Sequence, residues 1–591
     1  MAVTAVPVVT ASAVTAASAA GAAGGVSGVV AMGGGATGSI REQNGAFTTA
    51  LPLVSLPGRA GTGVELTLAY DQMASAAGAD RHGLGHGIGL GKAFISPEDG
   101  GTLHAAGGGS YPLRPGDTEG TGLQRYLLKD LALREEPGTL SEREGLEGVP
   151  RDYRWVLTYD DGRKNYFSAE GGLIAEQDRF GNQTAYAWEL NGGQHRLMKA
   201  VDAYGQAVTF DYSTGNQVTV TSPARSDGKQ PEVVLHLDGG RLTSVTYPEN
   251  QTIRLAWDHT PGGQPGRLLT RVEAPSGAVT RIGYDQPHGF PVVSSLKVTD
   301  QQGKNLTPER TFRLAAEGEH AGHDFTGRGQ YSSPGALFDS ADEGYRYVTE
   351  LSDGHSTVRS VYNSLHLLKE RTTSLHVNGE PVPVLTQQLQ YEGEREDGAL
   401  PPPAPDLPAN YAKPTKATVT HIAPGTGAER TTTETARFDD RGRQVERTDT
   451  NGAKTVTEYG TYGQVTQSTT TGADGTVAVT ENTFTPDGRS LAATRELTGD
   501  KDTVPAARTT TSFTVDEHGE PASKAVTWAD AEDARPEGDQ GPEKIAETYT
   551  TGVDTEKHTR ATTVTTDAGT VTRVEDLATG AATPLTGTGR A

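Results

Sequence analysis

The sequence predicts an all-β protein in which repeated β-hairpins join into one long coiled sheet. Three observations carry this. First, 34% hydrophobic and 6% aromatic residues with 75 glycines over 591 positions are thin for a dense globular core of that size. Second, from Phe438 an aromatic residue is followed four positions on by glycine and then by Val or Leu: Phe438/Gly442/Val445, Tyr459/Gly463/Val465 and Phe484/Gly488/Leu491, with steps of 21 and 25 residues. Third, an Asp-x-x-Gly frame places strand-type side chains five and seven positions past the glycine. It reads Asp178/Gly181/Tyr186/Trp188, Asp202/Gly205/Phe210/Tyr212 and Asp449/Gly452/Thr457/Tyr459.

Looser copies keep these offsets. Gly277 precedes Ile282 and Tyr284, and Asn250, tolerant of positive φ, stands in for glycine ahead of Leu255 and Trp257. Asp and Gly turn the chain, the two following positions share one face of a strand, and the next turn returns it. A hairpin of roughly twenty residues cannot bury its apolar face alone, so neighbours must stack.

These frames, together with the dipeptides Tyr159-Asp160, Tyr284-Asp285 and Phe438-Asp439, resemble the YD repeats of Rhs proteins, relatives of insecticidal toxin-complex shells and of teneurins. The resemblance covers 151–300 and 416–527 well and 546–591 weakly. A second likeness lies in "NGAFTTALPLVSLPGRAGTGVELTLAYDQ" (44–72) and "GLGHGIGLGKAFI" (83–95), which look like the strands and Gly-rich trunk that lead into such shells. The resemblance implies a β-shell around a toxic segment of the same polypeptide. The family closes its shell around an Asp-Pro dipeptide, which this sequence lacks, and "LATGAATPLTGTGRA" ends it as a polar tail; a partial shell is therefore expected.

In chain order, residues 1–40 read as a flexible Ala/Gly-rich leader. They lack the basic start of an export signal, the first basic residue being Arg41. Residues 41–150 form an N-terminal β region leading into the shell, and 151–315 the first YD-type repeats. The segment 316–415 reads as irregular, with a proline-rich crossover at 392–414. Repeats resume at 416–527, an acidic linker follows at 528–545, and a terminal hairpin region with its tail occupies 546–591. Helix is scarce: "TGLQRYLLKDLALREEPG" (121–138) is the one candidate by charge and Leu spacing, with strand as its rival.

A formal charge of −23 disfavours nucleic acid and anionic lipid as partners, since phosphate contact needs clustered Lys and Arg. The absence of cysteine excludes disulfides, Cys-ligated zinc and thiol catalysis. No apolar run reaches the length of a membrane helix.

Neither a catalytic, a cofactor nor a metal site is expected. Asp80, His82 and His86 have ligand spacing only on a helix, and the glycines at 83, 85, 87, 89 and 91 oppose one. His320, His323 and Asp324 read as a loop, and His355, His366 and His376 are scattered. Asp160/Asp161 and Asp439/Asp440 precede turn glycines, where Asp caps backbone. The expected site residues are therefore the turn glycines Gly181, Gly205, Gly277, Gly442, Gly452, Gly463 and Gly488 and the aromatics Tyr186, Trp188, Phe210, Tyr212, Trp257, Tyr284, Phe438, Tyr459 and Phe484.

The expected function is a non-enzymatic shell segment of a bacterial polymorphic-toxin or cell-surface system, secreted or surface-bound after synthesis in the cytoplasm. Its expected partners are other shell segments or a toxin cargo. The alternative is a surface adhesin whose repeat aromatics stack on glycans.

Overall fold

The computed structural model describes residues 38–106, 109–124, 126–141, 149–258, 267–285, 291–315, 345–392, 407–500, 502–503, 505–528, 544–582 and 586–589. Most of the leader (residues 1–37), His320, His323 and Asp324, most of the proline-rich crossover and most of the acidic linker lie outside them, while the leader's end, Ser39–Ile40, is a strand paired with Phe47–Arg59 rather than flexible chain.

The protein is all-β. From Leu131–Thr139 to Thr586–Gly589 more than thirty strands follow one another, each antiparallel to its neighbours in sequence. No strand pairing joins the first of these to the last among the described residues, so the sheet is open. Most ladders need only a short loop to form, because every hydrogen-bonded partner is the adjacent strand; longer connections join Arg310–Ala315 to Tyr347–Ser352, Glu380–Tyr391 to Pro414–Ile422 and Pro521–Trp528 to Lys544–Asp554.

A second layer covers the first half of this sheet. Phe47–Arg59 pairs with Thr62–Asp71 in a long hairpin whose Leu51, Leu56, Leu66, Leu68 and Tyr70 are buried in one cluster with Leu197, Val220, Leu235, Val245, Val272 and Val293 of the repeats. The chain beside the hairpin runs backwards along the loop ends of the repeats. Ile95 N donates to Gly171 O (2.9 Å), His195 N to Arg81 O (2.7 Å), Val293 N to Gly45 O (2.8 Å) and Gln43 Nε2 to His366 O (2.8 Å). From repeat residue 171 to 366 the partner's number falls overall from 95 to 43, with Leu242 N donating to Leu84 O (3.2 Å) slightly out of that order. The strip of hairpins is thus strapped along one edge by bonds to backbone groups that ladder pairing leaves open.

The opposite edge meets the sheet's own second half. Arg441 Nη1 lies 3.3 Å from Asp160 Oδ2, and Asn182 Nδ2 donates to His518 O at 2.8 Å. Ser226 N donates to Asp576 Oδ2 at 2.6 Å. Turns 281 to 350 residues apart in sequence touch tip to tip, so the sheet coils and its second coil, from Pro414–Ile422 onward, rests on its first. Among the described residues strand pairing plays no part in this seam.

Three expectations need adjustment. Residues 121–138 are not helical: Leu131–Thr139 pairs with Asp152–Tyr159 in the register Leu131↔Tyr159 and Leu133↔Leu157. Pro137 and Gly138 oppose a helix there, and alternation turns Leu133 into the core. The one described α-helix is instead Gln72–Ala77, capped by Asp71, whose carboxylate accepts from Met73 N and Ala74 N, and stopped by Gly78 at φ 78°. Finally, the segment read as irregular carries Tyr347–Ser352, Ser356–Tyr362, Leu368–Val377 and Glu380–Tyr391, all in the same sheet.

Candidate functional site

The repeat turns share one geometry. Oδ1 of Asp178 accepts from Phe180 N (2.8 Å) and Asn182 N (2.9 Å), and Asp202, Asp439 and Asp449 bind the amides two and four residues on in the same way. Between those two amides the chain must pass through a left-handed residue, and there stands the glycine. Gly181, Gly205, Gly277, Gly442, Gly452, Gly463 and Gly488 have φ between 69° and 91°.

Six of the nine repeat aromatics stand at defects in the ladder. Register shifts fall just before Trp188, Trp257, Tyr284, Phe438, Tyr459 and Phe484. Four of these rings carry a polar hydrogen, and each donates it to a carbonyl fifteen residues earlier: Trp188 Nε1 to Leu173 O (2.6 Å), Trp257 Nε1 to Leu242 O (2.7 Å), Tyr284 Oη to Leu269 O (2.8 Å) and Tyr459 Oη to Gln444 O (2.8 Å). In each case the ladder between the two strands stops short of that carbonyl, as where Ala175↔Ala185 is the last pair before Leu173. The ring side chain therefore supplies a rung beyond the end of the ladder to the preceding strand, while the register shift lies in the ladder to the following one.

Tyr186 and Phe210 are buried, and Tyr186 Oη donates to Glu176 Oε2 at 2.6 Å. Tyr212 lies under the Arg196 guanidinium, 5.2 Å from the ring centre. In the second coil Phe438, Tyr459 and Phe484 are only half-buried.

The histidine cluster is part of the packing. Asp80 Oδ1 accepts from the amides of Gly83, Leu84 and Gly85, while Oδ2 accepts from Gln194 Nε2. His82 is buried, its Nδ1 lies 3.0 Å from His195 O, and its ring stacks on Trp188 at 5.5 Å. Burial pushes the imidazole down to about 4, so it is neutral at pH 7. His376 bonds Thr357 Oγ1 and Gly354 O, and His366 packs beside Tyr347. Among the described residues no three His, Asp or Glu side chains are grouped to hold a metal. Nor is any helix there long and apolar enough to cross a membrane.

The face continuous with the core changes character between the coils. Leu389 pairs with Ala417 and Ala417 with Glu434, which carries the core face into the second coil. There Arg447 Nη2 binds Glu434 at 2.9 Å and Thr455 Oγ1 lies 3.0 Å from Thr470 Oγ1. Leu and Val give way to Thr, Ala and paired charges.

No protein-family model and no curated protein matches the chain. Among solved structures it is similar to the TcdB2–TccC3–Cdc42 complex, at 10% identity and a TM-score of 0.33 over 88% of this chain and 27% of that one. It is also similar to the TcdB2–TccC3–TEV complex, at 11% and 0.31 over 83% and 27%. A third is the Photorhabdus luminescens Tc holotoxin pore, at 9% and 0.28 over 90% and 32%. The chain spans about a third or less of the length of each.

Proposed function

We propose that the chain is a wall: a non-enzymatic Rhs/YD-type β-shell segment of a bacterial polymorphic-toxin or cell-surface system, which encloses or displays a polypeptide cargo. The observation that carries this reading is the change along the core face. In the first coil that face is apolar and filled by the protein's own hairpin. In the second it is lined by Thr, Ala and ion pairs such as Arg447–Glu434, a surface that suits contact with water and a polar chain rather than a packed core.

The experiment is protease protection. A protease-sensitive polypeptide fused after Ala591 should be digested far more slowly than the same polypeptide alone. Equal rates would remove the enclosing role. The adhesin reading is less favoured because the rings it would use are occupied: Trp188 and Trp257 spend their indole N–H groups on backbone carbonyls and pack against the core. Glycan arrays should therefore show no binding. Specific binding abolished in a folded Trp188→Ala or Trp257→Ala variant would reverse the preference.

A further inference from the structure

The seam between the coils has an unusual residue at its centre. In the turns at Asp178, Asp202, Asp439 and Asp449, the amide four residues past the aspartate belongs to Asn182, Gln206, Arg443 and Ala453. In the turn at Asp516 the same position is Glu520, whose N–H donates to Asp516 Oδ1 at 2.9 Å. The repeat geometry thus aims a carboxylate into the seam, where it is 6% exposed.

Three separate parts of the chain converge on it. Ala60 N, at the tip of the N-terminal hairpin, donates to Glu520 Oε1 at 2.7 Å. Tyr204 Oη, from a first-coil turn, lies 3.4 Å from the same oxygen. Arg560 Nη1, from the second coil, lies 3.5 Å away and its Nε is 3.4 Å from Glu575. Around this point the Arg59 guanidinium sits 5.0 Å from the Tyr204 ring centre, Thr62 Oγ1 donates to Asp178 Oδ2, and Pro57 touches the position of Gly580.

We propose that the hairpin tip, residues 57–62, is a latch: docked on Glu520 it holds the second coil against the first, and its release opens the seam at that point. Two physical features fit a reversible contact. Among the described residues no strand ladder crosses the seam, so the coils can part there without breaking β-pairing. Parting also leaves Glu520 with its own coil's Arg560, so the undocked carboxylate is hydrated and paired rather than buried alone, which is the costly outcome. The tip is pre-shaped for its role, with Ala60 at φ 49° exposing its N–H. The proposal does not depend on the chain carrying cargo.

The test is amide hydrogen exchange on the full chain. In Glu520→Ala, segments 57–62, 202–206 and 516–520 should exchange about tenfold faster or more, as for a local opening, while 242–245 in the first-coil core keeps its rate. Tyr204→Phe, which keeps the ring and removes one bond to Glu520, should shift the same segments in the same direction by less. Unchanged exchange at the three segments, or equal acceleration at 242–245, overturns the latch. Should Glu520→Ala fail to fold, Tyr204→Phe decides by the same criteria.

Discussion

Single residues act here mainly through backbone geometry. Gly205 has φ 83° between two amides bound by Asp202, so Gly205→Val should cost more than about 1 kcal/mol of stability, since a β-branched residue disfavours that region. Gly519 adds a steric reason: at φ 84°, a Cβ there would come within 2.4 Å of the Phe180 ring across the seam. Gly552 is the contrasting case, with ordinary φ and open space around its Cβ position; Gly552→Ala should be neutral or stabilising by about 0.4–1 kcal/mol through the unfolded state. Urea denaturation of the Gly205 and Gly552 variants checks both signs. Equal destabilisation would mean that turn conformation is not what these glycines supply.

Hairpins are joined by two devices, the ladder itself and an aromatic rung that extends it where the ladder to the preceding strand ends. Tyr284 illustrates the second, its hydroxyl donating to Leu269 O while its ring packs on the core. Tyr284→Phe keeps the packing and leaves the carbonyl unpaired, so a loss of about 1 kcal/mol is expected in a denaturation curve. Phe438 and Phe484 stand after the same register shifts without a polar hydrogen, so their strand ends lack that rung. Much of this level was legible in the sequence: the offsets that gave Trp188, Trp257 and Tyr284 one shared phase also give them one shared bond. The bulges were not legible, because a one-residue register shift leaves no mark in a degenerate repeat. The four strands between 345 and 392 did leave marks, Asp353-Gly354 and Asn378-Gly379 among them, both ordinary hairpin turn pairs.

Across the whole molecule, the coil is held by polar turn contacts, and these respond to acid. Burial alone would raise the pKa of Asp576, but the N–H groups of Ser226 and Ala578 and the Thr579 hydroxyl hold it below the ordinary 3.8. A carboxylate with a lowered folded pKa stabilises the fold above its unfolded pKa, and that stability is lost as pH falls through the folded value. Asp439 behaves likewise, its carboxylate held down against burial by Arg443 and the Arg441 amide. Asp160 runs the other way, since burial outweighs Arg441 and raises its pKa. Acid should therefore weaken the Ser226–Asp576 contact at a net cost to the fold, whereas protonating Asp160 relieves the cost of burying its charge even as it discharges the Arg441 pair. The Tm difference between about pH 6 and about pH 3 should shrink in Asp576→Asn, which keeps the acceptor and removes the titration; an unchanged difference would show that Asp576 does not carry the acid response.

The sequence by itself determined the all-β class, the hairpin period and the left-handed turn glycines, because each depends on residues within about ten positions: an aspartate binding two amides, a glycine between them, and alternation on the strand that follows. It also determined which aromatics share a phase. Tertiary structure alone decided the rest. Whether Leu131–Thr139 is strand or helix depends on Asp152–Tyr159 beside it. That the hairpin at 47–71 fills the first coil depends on side chains more than a hundred residues away. That Glu520 meets Ala60 and Tyr204 depends on how many repeats make one turn of the coil. That number follows from the twist and curvature summed over many strands, and no local pattern encodes such a sum.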